Sequence, residues 1–207
     1  MLELQQSAKV VVNGIVYQWP KKPTVIICID GGDPEYLQYL ITKEAIPNIA
    51  RFIKQGFCAI ADGTMPSFTC PNNMSIITGT PASQHGISGN YYLDTNTWKP
   101  VVMTGPELLR GDTILAKFAD SGARVVSITA KDKLRKQLGK NLDLTNGSVS
   151  FSSEFASQCT IPENGIENVL NLVDMPEPNV YSMELSLFVL RAGIVLLKRD
   201  KIGRAHV

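Results

Sequence analysis

An α/β fold, with a mostly parallel sheet flanked by helices, is the architecture this chain predicts, and three observations carry it. Residues 24–29 are apolar at consecutive positions and rich in β-branched side chains, the composition of a strand buried on both faces of a parallel sheet. The run ends on Asp30-Gly31-Gly32, which puts a carboxylate at the strand's carboxyl end, where open α/β sheets collect ligands. A helix-like stretch at 113–121, stopped by Gly122, then gives way to a strand-like run at 124–129, repeating the alternation and delivering Lys131 to the same carboxyl edge.

The elements follow in order. Asn13-Gly14 between two apolar runs predicts a hairpin over residues 9–19. After the 24–29 strand, Asp30 has two open readings: a hard oxygen ligand for a divalent cation, or the cap of a helix beginning near Pro34 and Glu35. Residues 35–55 read as a helix in two pieces broken near Pro47 and stopped by Gly56, with 57–61 strand-like behind it. Residues 69–79 read as a short helix with Thr69 near the N-cap, Pro71 in the first turn and Gly79 as its stop. Unpaired N–H groups at such a start attract phosphate and phosphonate oxygens. A threonine hydroxyl there is a nucleophile once a base or a metal takes its proton, and a plain N-cap otherwise. Asp112 can cap the 113–121 helix, and 142–160 shows weak periodicity. Helices near 165–172 and at 181–199, joined through Pro176 and Pro178, complete the pattern. There is no internal repeat.

Composition bounds the function. With 207 residues and 44% hydrophobic content the chain can bury one sizeable core. A formal charge of +1 gives no reason to expect nucleic acid as a partner. Cys28, Cys58, Cys70 and Cys159 form no CxxC pair and are expected to be reduced and buried. The apolar stretch 183–197 is interrupted by Glu184 and Arg191, so a buried helix is expected there and no membrane span. The N-terminus shows no signal-peptide order, which makes the cytoplasm the default location. Taken by themselves, Lys131-Asp132-Lys133 reads as a solvated helix face and Asn90 as a turn residue beside Gly89.

The combination says more than its parts. Asp30-Gly31-Gly32, Pro66-Ser67-Phe68-Thr69-Cys70-Pro71-Asn72-Asn73, Ser75-Ile76-Ile77-Thr78-Gly79 and His85-Gly86-Ile87-Ser88-Gly89-Asn90-Tyr91 stand in one ordered series. That series resembles the alkaline phosphatase superfamily, and within it the phosphonoacetate hydrolases. The nucleotide pyrophosphatase/phosphodiesterase branch shares the Thr-x-Pro-Asn and His-Gly-Ile signals but usually has histidine at the position of Asn73. The segment 129–135, with Lys131 and Lys133, also looks like the phosphonoacetate hydrolases, and the similarity runs from about residue 10 to residue 200.

The resemblance implies an alkaline-phosphatase-like core and a role for each residue. Asp30 would ligate one of two zinc ions, and Thr69 would be the nucleophile lying against the metals. Asn90 would donate its amide to a phosphonate oxygen as charge builds. Lys131 and Lys133 would hold the carboxylate and phosphonate of a small anionic substrate. The implied reaction is hydrolysis of the carbon–phosphorus bond of phosphonoacetate to acetate and phosphate. His85 is expected to be structural or to stand behind the metal ligands. A homodimer stays open as the assembly.

The chain departs from this pattern in its histidines. A two-zinc site needs several, together with further aspartates, and only His85 and His206 are present. Residues 1–200 therefore read as the N-terminal part of one hydrolase domain, truncated at the C-terminus. The terminal Ile202-Gly203-Arg204-Ala205-His206-Val207 matches the translation of a widely used sequencing-adapter oligonucleotide, so 201–207 is expected to be a non-native tail. Little or no activity is expected of such a fragment. Two other readings stand beside it: a phosphodiesterase or phosphomonoesterase of the same superfamily, and a non-catalytic fragment that keeps an anion pocket at Thr69.

Overall fold

A computed structural model describes residues 9–200 of the chain. The expected tail at 201–207, His206 included, lies outside the described residues. The chain divides into two compact units, one of them Thr24–Gly63 and the other made of the segments before and after it.

The larger unit opens with the hairpin, strands β1 (Lys9–Val12) and β2 (Ile15–Gln18) paired antiparallel with Val12 opposite Ile15. Its two-residue turn places Asn13 at φ 50° and Gly14 at φ 84°, the conformation a twisted hairpin needs and that Asn-Gly tolerates. Helix α3 (Thr69–Thr78) ends on Gly79 in the left-handed region, φ 67°, where its N–H reaches the Ser75 carbonyl. The short α4 (Ala82–His85) leads to a second antiparallel hairpin, β3 (Tyr91–Asp94) with β4 (Lys99–Val102). Then come α5 (Ile114–Asp120), β5 (Val126–Thr129), α6 (Asp132–Leu138) and β6 (Val149–Ser152). A 3-10 turn precedes α7 (Ile161–Asn164), α8 (Val169–Val173) and α9 (Met183–Arg199).

β5 and β6 pair in parallel, Val126 opposite Val149, with α6 and α9 both packed on β5. All four residues of β6 are buried, as a strand covered on both faces requires. This is the α/β arrangement, and it holds the main core: Val149, Phe151, Val169, Val173, Phe188, Ala192 and Leu196. A second core joins Cys70, Met74 and Ile77 of α3 to Ile87, Met103 and Leu109, with Leu134 and Leu138 of α6 packed against it. Asn13 binds the hairpin to the rest. Its Nδ2 donates to the carbonyls of Thr78 (2.8 Å) and Asp112 (2.9 Å), and its Oδ1 accepts from the Asp112 N–H (3.0 Å).

Several local expectations change. The cap of α5 is Thr113, whose Oγ1 accepts from Ala116 N–H at 3.1 Å, while the Asp112 carboxylate pairs with Lys117. Gly165 does not open a helix but closes α7 at φ 69°. The last helix is not buried all round: α9 turns Leu185, Phe188, Ala192 and Leu196 inward and leaves Leu187, Leu190 and Ile194 exposed.

The smaller unit holds α1 (Pro34–Thr42) and α2 (Pro47–Gln55), separate helices as Pro47 predicts, with Gly56 ending the second. Neither helix buries a residue. Residues 24–29 form no strand, and Ile26 and Ile29 are 71% and 67% exposed. The strand-like run 57–61 is likewise unpaired and exposed. The physical reason is the ladder: a central strand exists only where neighbours accept and donate its backbone hydrogen bonds, and no other described strand pairs with either run. Cys28 and Cys58 are therefore exposed, Cys159 is half-buried and only Cys70 is buried; all four are unpaired.

Candidate active site

Thr69 is the first residue of α3, with Phe68 as the N-cap residue in extended conformation and making no side-chain cap. The cap comes from elsewhere in the chain. Asn90, in the loop before β3, turns its Oδ1 to the N–H of Cys70 at 3.1 Å. Pro71 has no N–H to offer, and the Asn72 N–H already returns to the Phe68 carbonyl. The helix start is thus not the open set of donors that the sequence suggests. The Asn90 carbonyl oxygen is committed to Cys70, which leaves its NH2 group as the donor beside Thr69.

Two asparagines that the sequence presented only as motif letters set the position of Thr69. Asn72 Oδ1 accepts from Thr64 N–H (2.9 Å) while its Nδ2 donates to the Phe68 carbonyl (2.9 Å), tying the approach loop to the helix. Buried Asn73 donates to the carbonyl of Thr69 itself, at 2.9 Å. The available signal was two amide side chains one turn after the threonine, the spacing that reaches back to the preceding turn.

His85 is fully buried, with Nε2 2.9 Å from Ser75 Oγ and Nδ1 accepting from the Ile87 N–H at 3.1 Å. Burial pushes its pKa below the ordinary imidazole value. In the neutral form Nε2 carries the proton and donates to Ser75, so both ring nitrogens are engaged in holding α3 to α4. Among the described residues no three His, Cys, Asp or Glu side chains cluster as a metal site requires. The donors among the described residues therefore do not by themselves make up a two-zinc site.

Asp30 sits in the smaller unit. It does not cap α1: that is done by Asp33, whose Oδ1 accepts from Glu35 N–H at 2.8 Å. The capping alternative for Asp30 is thereby removed.

Lys131 is the N-cap residue of α6, two residues past the end of β5, and α6 lies against α3 through Leu134 and Leu138. Its Nζ stands 3.8 Å from the centroid of the Tyr181 ring. Lys133 is half-buried in the first turn of α6. Between them Asp132 turns away to Arg135 and Lys136. Burial raises its carboxyl pKa, but those two cations outweigh it and hold the group below the usual carboxylate range. A cavity of about 530 Å³ lined by Arg135, Lys136, Lys140 and Ser150 opens at the other end of α6, and none of the sequence-predicted site residues lines it.

Comparisons with known proteins give the family and the fold. Residues 24–190 match the family model of type I phosphodiesterase / nucleotide pyrophosphatase. The chain is 24% identical over 157 residues to an uncharacterised pyrophosphatase/phosphodiesterase of Schizosaccharomyces pombe, covering 74% of this chain and 31% of that protein. It is 37% identical over 91 residues to an ectonucleotide pyrophosphatase/phosphodiesterase of Caenorhabditis elegans, covering 42% of this chain and 10% of that protein. Among solved structures it superposes on phosphonoacetate hydrolase of Sinorhizobium meliloti 1021 in complex with phosphonoacetate, with a TM-score of 0.90 and 43% identity over 95% of this chain. The same enzyme in complex with phosphonoformate gives a TM-score of 0.90 and 44% identity. The chain spans 48% of that enzyme's length.

Proposed function

Because the chain belongs to the type I phosphodiesterase / nucleotide pyrophosphatase family, we propose that it is the N-terminal part of a hydrolase that cleaves the carbon–phosphorus bond of phosphonoacetate. The observation that carries this reading is the fold shared at 43% identity with an enzyme solved around phosphonoacetate itself. No membrane-spanning helix stands against it, since none of the described helices is long and apolar enough to cross a bilayer. The cytoplasm and a small-molecule phosphonate partner belong to the same proposal.

The chemistry assigns each group a task. Thr69 Oγ1 loses its proton to solvent and attacks phosphorus in line, a new P–O bond forms, and the P–C bond breaks with its electron pair passing to carbon. That carbanion spreads into the neighbouring carboxylate and is protonated to acetate, while water hydrolyses the phosphothreonine and releases phosphate. Asn90 Nδ2 donates to a phosphonate oxygen as its charge grows; with its Oδ1 fixed on Cys70, the amide is already oriented. Lys131 and Lys133 attract the carboxylate and phosphonate, which favours the leaving of carbon as well as binding. Zinc is the metal we propose for the complete site, with Asp30 and Thr69 contributing oxygen ligands. The remaining donors would come from the part of the fold that this chain does not span.

A nucleotide or aryl phosphodiester is the second reading, favoured by the family model and by the two pyrophosphatase/phosphodiesterase relatives. Phosphate release from phosphonoacetate and cleavage of an aryl phosphodiester, both measured on the full-length protein with zinc, decide between them. Lys131→Ala and Lys133→Ala should harm the phosphonoacetate reaction more. Equal loss on both substrates, or turnover of the diester alone, would sink the phosphonoacetate reading.

A further inference from the structure

Among the described residues three cationic groups lie over aromatic rings, and two are local: Lys43 over Tyr39 at 5.6 Å and Arg51 over its neighbour Phe52 at 5.5 Å. The third joins distant parts of the chain and is much closer, Lys131 over Tyr181 at 3.8 Å. Tyr181 is 89% exposed, so core packing does not hold it. Its backbone nevertheless takes φ 75°, an unfavourable conformation for a bulky side chain, in the turn closed by Ser182 N–H on the Asn179 carbonyl just before α9. A strained, solvent-facing tyrosine placed on one lysine calls for a reason beyond folding.

The charges around Lys131 supply it. The adjacent acid, Asp132, is committed to Arg135 and Lys136, and Glu154 accepts the Asp132 N–H. Lys131 has no ion pair among the described residues. An aromatic face attracts an ammonium group without cancelling its charge, whereas a carboxylate partner would have to be displaced by any anion that bound there. The ammonium also keeps N–H donors that the ring does not use.

We infer that Tyr181 is a positioning residue for Lys131, a neutral platform that holds the ammonium in place and leaves its charge and free N–H groups to a substrate carboxylate or phosphonate. This rests on the reading of Lys131 as substrate-binding. It adds a residue that no motif in the sequence indicated, brought to the site from the turn before the last helix.

The test uses the full-length protein with zinc, carrying Tyr181→Phe or Tyr181→Ala. Lysines labelled by reductive 13C-methylation report the ring contact through the NMR shift of Lys131, assigned with Lys131→Arg, and phosphonoacetate affinity is measured on unlabelled protein. The expected result is an upfield Lys131 signal in the wild type and Tyr181→Phe that moves to the bulk lysine position in Tyr181→Ala. Affinity should be unchanged in Tyr181→Phe and about 2- to 5-fold weaker in Tyr181→Ala. Equal affinity in all three proteins, or equal weakening by Phe and Ala, overturns the positioning role. A bulk-like Lys131 signal in a wild type that does bind phosphonoacetate overturns the platform alone. A shifted Lys131 signal with no phosphonoacetate binding overturns the assignment of Lys131 to the substrate, and the positioning role with it, while leaving the ring contact standing.

Discussion

Replacing Asn90 by aspartate separates the helix cap that this side chain provides from the anion-donor role proposed for it. The oxygen that accepts the Cys70 N–H survives the substitution, so the remote cap of α3 stays in place. A carboxylate at a helix start adds a favourable interaction with the helix dipole of about 0.3–1 kcal/mol. Asn90→Ala, by contrast, deletes the cap and should cost roughly 0.5–2 kcal/mol. Anion binding moves the opposite way in the aspartate variant. The NH2 donor beside Thr69 is lost, and a negative charge faces a substrate oxygen at about 4 Å, a repulsion of about 1 kcal/mol in water and about 4 kcal/mol at an effective dielectric of 20. Phosphonoacetate affinity should therefore fall by roughly 10- to 1,000-fold. Urea denaturation measures the first quantity, and titration of the phosphonoacetate 31P signal measures the second. The reasoning is refuted if Asn90→Asp is destabilised as much as Asn90→Ala, or if it binds phosphonoacetate as tightly as the wild type.

Three further outcomes concern the scaffold. Asn13→Gly keeps the left-handed turn but removes three hydrogen bonds to Thr78 and Asp112, which at about 0.5–1.5 kcal/mol each amounts to roughly 2–4 kcal/mol in denaturant unfolding. Phe188→Ala empties the centre of the larger core, where the ring is fully buried, and should lower stability by about 3–5 kcal/mol. His85 is held neutral by burial, its pKa below the ordinary value. Its contribution to stability is accordingly complete above the unfolded-state pKa and is lost as pH falls through that value towards the lowered folded one. Melting temperature should drop between about pH 7.5 and 5, and His85→Gln should flatten that slope; an unchanged slope in the variant would remove His85 as its source.

What could be read ahead of the structure was local. Asn13-Gly14 demands a left-handed turn, Pro47 interrupts a helix, and Gly79 ends one, because each acts through its own backbone preferences. The apolar run at 24–29 carried a true statement about composition and a wrong one about state. Burial and strand geometry depend on neighbours, and among the described residues none pairs with it. Thr69 could be picked out as the start of a helix, yet the group that caps that helix is 20 residues further on, and sequence spacing gives no hint of which loop will return.

By itself, then, the sequence determined the class of the fold, the ends of α2 and α3 and the order of motifs from Asp30 to Lys133, since these follow from residue chemistry and short-range geometry. Tertiary structure alone decided that Asn90 faces the Thr69 helix, that His85 is a structural clasp between Ser75 and Ile87, and that Lys131 rests on Tyr181. The Asn90 and Lys131 contacts join residues far apart in the chain, and the His85 clasp closes between α3 and α4. They exist only after packing has placed α3 against α6 and α9 against β5, so no local pattern could announce them.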